Sequence, residues 1–379
     1  MLILSVILSI FVYGMIASTL GTILPDLSER FTLSPRQNGI IAFAQALGLI
    51  LASLAVGPLL DWKGKSIGLF IGLGLIAVVL VTLPRCPGYK SIVMLMFLMG
   101  AGGGVLITAA NAVASDISGA RRGSVLNLVN LFFGLGGFVT PFIAANLFAK
   151  RLRRLCDAIA VFSLFTFGIV LMSPIPKANG IHRMSFNGAE YLLTQPTLLL
   201  LSLFLFLYVS CEVGVWNWLP QHLIAQGIPE PHALNILSFG FALGLLAGRV
   251  LISPVLLRVP AVTVLVVASA AMTVTTLIML LMRRATSALV AVALAGLAMA
   301  PVYPTTLAIV GGKFSSMTGT ALGIVITCGW IGLAASSRFI GALAGADTRR
   351  LRKALMIIPI FCVCMLLLSL FLQISLQRV

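Results

Sequence analysis

Glu212 is the residue whose placement most demands a chemical reason. It lies near the middle of the apolar run 197–219 of a 379-residue chain. A carboxylate at that depth in hydrocarbon costs roughly 2.5–3.5 kcal/mol on insertion scales unless it is protonated, paired or facing water. Glu212 could therefore accept hydroxyls from a polar solute, take up a proton or cation, or fix helix packing through a partner. Trp216 follows one turn later on the same helical face. Asn217, five residues on, is rotated off that face by about 140°. An acceptor, a stacking indole and an amide suit a solute with hydroxyls around an apolar ring, although an interfacial indole is the alternative for Trp216.

Other polar groups sit inside apolar runs. Asn111, Asn127 and Gln45 are amides that must bond either to a neighbouring helix or to a ligand. Tyr13 and Tyr303 fall at comparable mid-run positions and either close a cavity or pack in the core. Arg338, in the run 317–345, could form an ion pair, contact an anion, or snorkel to the interface. No nucleophile–base set or metal-ligand cluster accompanies them, and the six cysteines include no CxxC pair. His222 and His232 flank a short loop and are expected to be exposed. Gly64-Lys65-Ser66 resembles the end of a phosphate-binding loop, but the required first glycine is Leu59. No enzyme activity, cofactor or metal is expected.

The elements that must carry these groups follow from composition. Hydrophobic residues make up 60% of the chain and charged residues 9%, against about 25% charged in soluble domains; mean hydropathy is +1.13. A hydrocarbon core needs about 20 apolar helical residues per crossing. Twelve such runs can be laid out from 2–20 to 354–374, and they lack the polar–apolar alternation of a β-barrel. The fold class is an all-α membrane protein. The formal charge is +16, but its cations lie between apolar runs, so lipid head groups are the expected partner and nucleic acid is not.

The longest polar interruption, 174–196, divides the runs six and six. It predicts an N-terminal six-helix bundle at 1–173, a cytoplasmic linker at 174–196 and a C-terminal bundle at 197–379. Landmarks recur across it: Gly57 is echoed by Gly248, and Gly123 in RRGSVLNL by Gly319 in MTGTALGI. Two parallel six-helix repeats are the pattern of a carrier with its site between the halves. With a cytoplasmic N-terminus, ten Lys/Arg fall on the cytoplasmic side, Arg249 counted among them, and fourteen on the other. That bias is opposite to the positive-inside rule.

The stretch GPLLDWKGKSIGL (57–69) resembles the loop between spans 2 and 3 of the major facilitator superfamily, matching at Gly57, Asp61, Gly64 and Lys65. The resemblance implies a cytoplasmic latch that holds the outward-facing state through span 11. Segments 108–141, 207–223 and 298–314 resemble spans 4–5, 7 and 10 of the sugar-transporting group around the fucose–proton symporter and the sodium-dependent glucose transporter-like proteins. The resemblance implies a monomeric secondary transporter in a bilayer, expected to be a bacterial inner membrane. It would move a small-molecule substrate, a hexose or related sugar, by alternating access. A coupling proton or sodium ion belongs to the same expectation. The acidic residues of proton-coupled relatives in spans 1 and 4 are replaced here by Gly21 and Ile107, which weakens first-half proton coupling. A lipid or amphipathic-drug exporter, and an organic-anion carrier, are the alternatives of the same fold.

Overall fold

The computed structural model describes residues 1–33, 35–148, 152–174, 186–344 and 348–377. In chain order its helices are α1 (Leu2–Phe31), α2 (Pro35–Lys63), α3 (Lys65–Thr82), α4 (Tyr89–Ser118), α5 (Arg122–Asn146) and α6 (Leu152–Leu171). A short α7 (Phe186–Leu193) precedes α8 (Pro196–Ala225) and α9 (Glu230–Asn235). Next come α10 (Leu243–Val255), α11 (Ala261–Leu281), α12 (Ala285–Met299), α13 (Val302–Lys313), α14 (Thr318–Ala344), α15 (Thr348–Leu355) and α16 (Ile357–Gln377).

Eleven stretches among the described residues are long and apolar enough to cross a membrane. One of them, Tyr89–Thr140, has 52 residues. As a single helix it would be about 78 Å long, far more than a hydrocarbon core of about 30 Å. The chain breaks at Gly119, whose φ of 48° lies in the left-handed region, so α4 and α5 each make a crossing. Twelve crossings result, as the hydropathy pattern predicts, and the protein is a multi-pass integral membrane protein.

The helices gather into two compact units. The first consists of Met1–Gly119, Val129–Leu192 and Lys313–Thr327, so the opening turns of α14 pack with α1–α6. The second consists of Ala120–Leu128, Leu193–Gly312 and Cys328–Val379, and takes in the opening turns of α5.

Lipid solvates apolar surface as well as a protein interior does, so helices in a membrane associate through close backbone approach. Each unit contains such seams. In the first, a β-carbon at Gly100 of α4 would lie 1.9 Å from the Gln45 carbonyl oxygen of α2. In the second, a β-carbon at Gly244 of α10 would lie 2.3 Å from the Ala293 carbonyl oxygen of α12. The Gly100-xxx-Gly104 and Gly240-xxx-Gly244-xxx-Gly248 rows are packing surfaces.

Two departures from regular helix shape the second unit. Residues Ile236–Ala242, between α9 and α10, form a π-helix; such widened turns rotate the side chains that follow. Ala300 and Pro301 separate α12 from α13. Pro301 and Pro304 carry no N–H, so the carbonyls of Leu297 and Ala300 lose their helical donors. The opened turn sits against Gly248, where a β-carbon would lie 2.5 Å from Ala300 Cβ and 2.8 Å from the Leu297 carbonyl oxygen.

Candidate functional site

Tyr208, Glu212 and Trp216 are four residues apart on α8 and share one face. Burial falls along that face: Tyr208 is fully buried, Glu212 half-buried, and Trp216 is 37% exposed. The Trp216 ring meets Phe241 of the π-helical stretch edge-on, with centroids 5.1 Å apart and planes at 79°. That geometry suits the ring quadrupoles and leaves the rest of the indole open. Asn217, rotated off this face, is exposed.

Tyr303 stands directly after the α12–α13 break, its hydroxyl buried. The Glu212 carboxylate and the Arg249 guanidinium both lie within electrostatic reach of Tyr208 and Tyr303. Three helices thus bring a carboxylate, a guanidinium and two phenols to one neighbourhood of the second unit. Arg249 corrects the sequence reading. It belongs to α10 within the apolar stretch Ile236–Val255 and is only 5% exposed, not a cation at the membrane boundary. Its position inside the run 233–257 was the available signal.

His222 is a second correction. It lies two residues beyond the apolar stretch Pro196–Pro220 and is 1% exposed. Its Nε2 is 2.9 Å from Gln226 Nε2. Burial lowers its pKa below the usual histidine value, a shift augmented by Arg352 and opposed by the Leu280 backbone. His232 is exposed, as expected.

The amides divide between the units. In the first, Asn111 Nδ2 donates to the Ile107 carbonyl at 2.9 Å, and its Oδ1 accepts from Asn130 Nδ2 at 2.9 Å. This is an interhelical bridge between α4 and α5 that satisfies much of the Asn111 amide. Tyr13, on α1, stacks on Phe133 with centroids 5.5 Å apart. Gln45 is half-buried on α2, its backbone forming the Gly100 seam. In the second unit, Asn127 Nδ2 donates to the Gly123 carbonyl at 3.0 Å and to Thr305 Oγ1 at 3.3 Å. Its Oδ1 is buried with no hydrogen-bond partner among the described residues. Arg338 falls in α14, but its side chain lies outside the described residues. Among the described residues no group of three or more His, Cys, Asp or Glu side chains could hold a metal.

The motif at 57–65 builds a separate site in the first unit. Gly64, with φ of 95°, makes the turn from α2 to α3 in a conformation glycine adopts without steric cost. One turn before it, Asp61 receives the first turn of α14. Its Oδ1 accepts the Gly319 N–H at 2.9 Å, and its Oδ2 accepts the Thr320 N–H at 2.8 Å and the Thr320 hydroxyl at 2.6 Å. These N–H groups have no partner within their own helix, and the carboxylate also meets the positive end of the helix dipole. Gly57 permits the approach, since a β-carbon there would be 2.7 Å from Thr320 Cα. Lys65 pairs with Asp116 of α4 at 2.6 Å and approaches Asp61 at 4.0 Å.

Twelve apolar crossings, glycine seams, a broken helix beside intramembrane charges and a carboxylate-capped helix start together define a polytopic membrane protein of the carrier type. The Major Facilitator Superfamily model matches residues 6–337, and the chain belongs to that family. It is 25% identical over 266 residues to "Bypass of stop codon protein 6" of Saccharomyces cerevisiae, covering 63% of this chain and 53% of that protein. It is 23% identical over 270 residues to "Sodium-dependent glucose transporter 1A" of Mus musculus, covering 59% and 62%. The aligned regions thus span about half to three-fifths of these relatives. In fold it matches the E. coli fucose:proton symporter at a TM-score of 0.84 and 18% identity, covering 97% and 98% of the two chains.

Proposed function

We propose that this protein is a secondary transporter of the bacterial inner membrane. It moves a small solute, in first place a hexose or related sugar, by alternating access. The observation that carries the reading is the α8 face on which half-buried Glu212 leads to the open indole of Trp216, with Tyr303 nearby. A carboxylate can accept sugar hydroxyls, and an indole can cover the ring's apolar side. Glu212, Trp216, Asn217 and Tyr303 are the proposed substrate contacts of the second unit, joined by Asn127 through its Oδ1. Tyr13, Asn111 and Gln45 are those of the first. The names of a glucose transporter relative and a fucose symporter of the same fold support the choice of substrate class. With Gly21 and Ile107 at the positions where proton-coupled relatives carry acids, a coupling proton or sodium ion would act through Glu212. Gly57, Asp61, Gly64 and Lys65 form the proposed latch of the outward-facing state, and the monomer is the proposed working unit.

Counterflow in proteoliposomes tests this without assuming a driving ion. Vesicles preloaded with unlabelled glucose should transiently trap labelled glucose above the empty-vesicle control. Glu212→Gln should reduce that trapping at least tenfold while helical content and thermal unfolding stay unchanged. Equal trapping by the variant removes Glu212 from the mechanism. The buried Arg249 favours a second reading, an organic-anion carrier. Trapping of a sugar acid in place of glucose, abolished by Arg249→Gln, would select it.

A further inference from the structure

The sequence leaves one feature without a role: the cations that crowd the side predicted to carry few. Four of them lie in α15, whose sequence TRRLRKAL contains Arg349, Arg350, Arg352 and Lys353. Leu351, Ala354 and Leu355 recur at helical spacing and are buried, and α15 packs on α8. Arg352 is half-buried and Lys353 exposed. The helix is thereby fixed by its apolar side, and Arg352 and Lys353 lie outside that buried set. It connects the membrane-crossing α14 and α16, so it lies at a membrane boundary.

A second basic pair sits at the same end of the unit. Arg352 lies within electrostatic reach of His222 near the end of α8, and the Leu280 backbone near the end of α11 touches the same imidazole. Gln226 Nε2 also donates to the Leu280 carbonyl at 3.4 Å. Arg283 and Arg284 follow α11 by two and three residues and are exposed. The ion pairs among the described residues include none of Arg283, Arg284, Arg352 and Lys353. On the preceding turns of α11, Leu277, Ile278 and Leu281 are 39–45% exposed, an apolar strip leading up to the cations.

The geometry points to a binding surface for anionic phospholipid on the second unit, formed by α15 and the turn between α11 and α12. Guanidinium groups grip phosphate oxygens in pairs, and each cation near an anionic membrane surface strengthens attachment by about fivefold. The apolar strip would lie along the acyl chains, which a free anion does not possess. That combination selects a lipid over a soluble phosphate. It also gives the excess basic charge a role independent of the transported solute.

The test is thermal unfolding of the full chain in detergent micelles titrated with dioleoylphosphatidylglycerol, with dioleoylphosphatidylcholine and inorganic phosphate as separate arms. The anionic lipid should raise the unfolding midpoint above the level reached with phosphatidylcholine. Its half-effect concentration should rise at least tenfold in Arg283→Gln/Arg284→Gln/Arg352→Gln/Lys353→Gln. Should that variant not fold, Arg283→Gln/Arg284→Gln changes only exposed side chains and should weaken the response by about fivefold per charge removed. An unchanged response in the folded variant overturns the proposal, as does the absence of any lipid-specific shift. An equal shift from inorganic phosphate overturns the lipid and leaves a general anion surface.

Discussion

Two regions that the sequence marks as echoes of one another hold together by different chemistry. At the end of α2, Asp61 meets the first turn of α14 with three hydrogen bonds, and Gly57 lets the backbones touch. Near the end of α10, the first turn of α5 meets Leu256. A β-carbon at Gly123 would be 3.5 Å from Leu256 Cδ2, an ordinary van der Waals distance. Gly248, the echo of Gly57, instead packs on the broken turn between α12 and α13. Glycine spacing therefore repeats where contacts do not. A carboxylate at a helix start supplies directional bonds that either form or fail, whereas leucine supplies dispersion that weakens gradually. Under the proposed latch, the α2–α14 contact is the one whose directional bonds would switch.

The largest effect should come from breaking the polar contact. Asp61→Ala removes three bonds to a charged acceptor, about 3 kcal/mol or more in all. Under the proposed latch it should lower the initial counterflow rate at least tenfold with helical content preserved. A wild-type rate would show that the capped helix start does not control transport. Next comes a matched pair of substitutions. The β-carbon of Gly319→Ala would fall 2.8 Å from Asp61 Oδ1 and 2.9 Å from Leu60 Cβ. Such overpacking costs about 1–3 kcal/mol and should lower the unfolding midpoint by several degrees. Gly123→Ala meets only ordinary contacts and should leave it nearly unchanged. Equal shifts would erase the distinction between the two regions.

A smaller gain should follow from making the apolar region resemble the polar one. Leu256→Asp places a carboxylate near the N-terminus of α5, where a helix dipole contributes about 0.3–1 kcal/mol. A modest rise in thermal stability and slower counterflow are expected. A fall in stability would mean that Leu256 packing outweighs the new polar contact. The smallest effect is a pH dependence that the Leu256 contact cannot supply. His222 binds its proton more weakly in the folded protein than at its ordinary value of 6.5. Its contribution to stability is therefore present above that pH and is lost as pH falls below it. Unfolding midpoints measured from pH 8 to pH 5 should decline below about 6.5, and His222→Gln should flatten that part of the profile.

Much of the fold was legible because a bilayer imposes a one-dimensional rule. Every crossing must satisfy its backbone internally and present apolar side chains, so span number follows from hydropathy, and Pro301 marks the break in span 10. The motif at 57–65 was legible through its match at Gly57, Asp61, Gly64 and Lys65, whereas the bonds of Asp61 to the first turn of α14 appear only in the structure. The surroundings of Glu212 were legible only along its own helix, where Tyr208 and Trp216 follow from spacing.

The sequence by itself determined the membrane class, the twelve crossings, the family and the intramembrane carboxylate, since each depends on residues near one another in the chain. Tertiary structure alone decided that Arg249 is buried near Glu212, Tyr208 and Tyr303, and that Asn111 bonds to Asn130. It also buried His222 beside Gln226 and the end of α11. The physical reason is common to all three. A polar group's state in an apolar medium depends on the partner that faces it, and that partner comes from another helix whose rotation no linear pattern specifies.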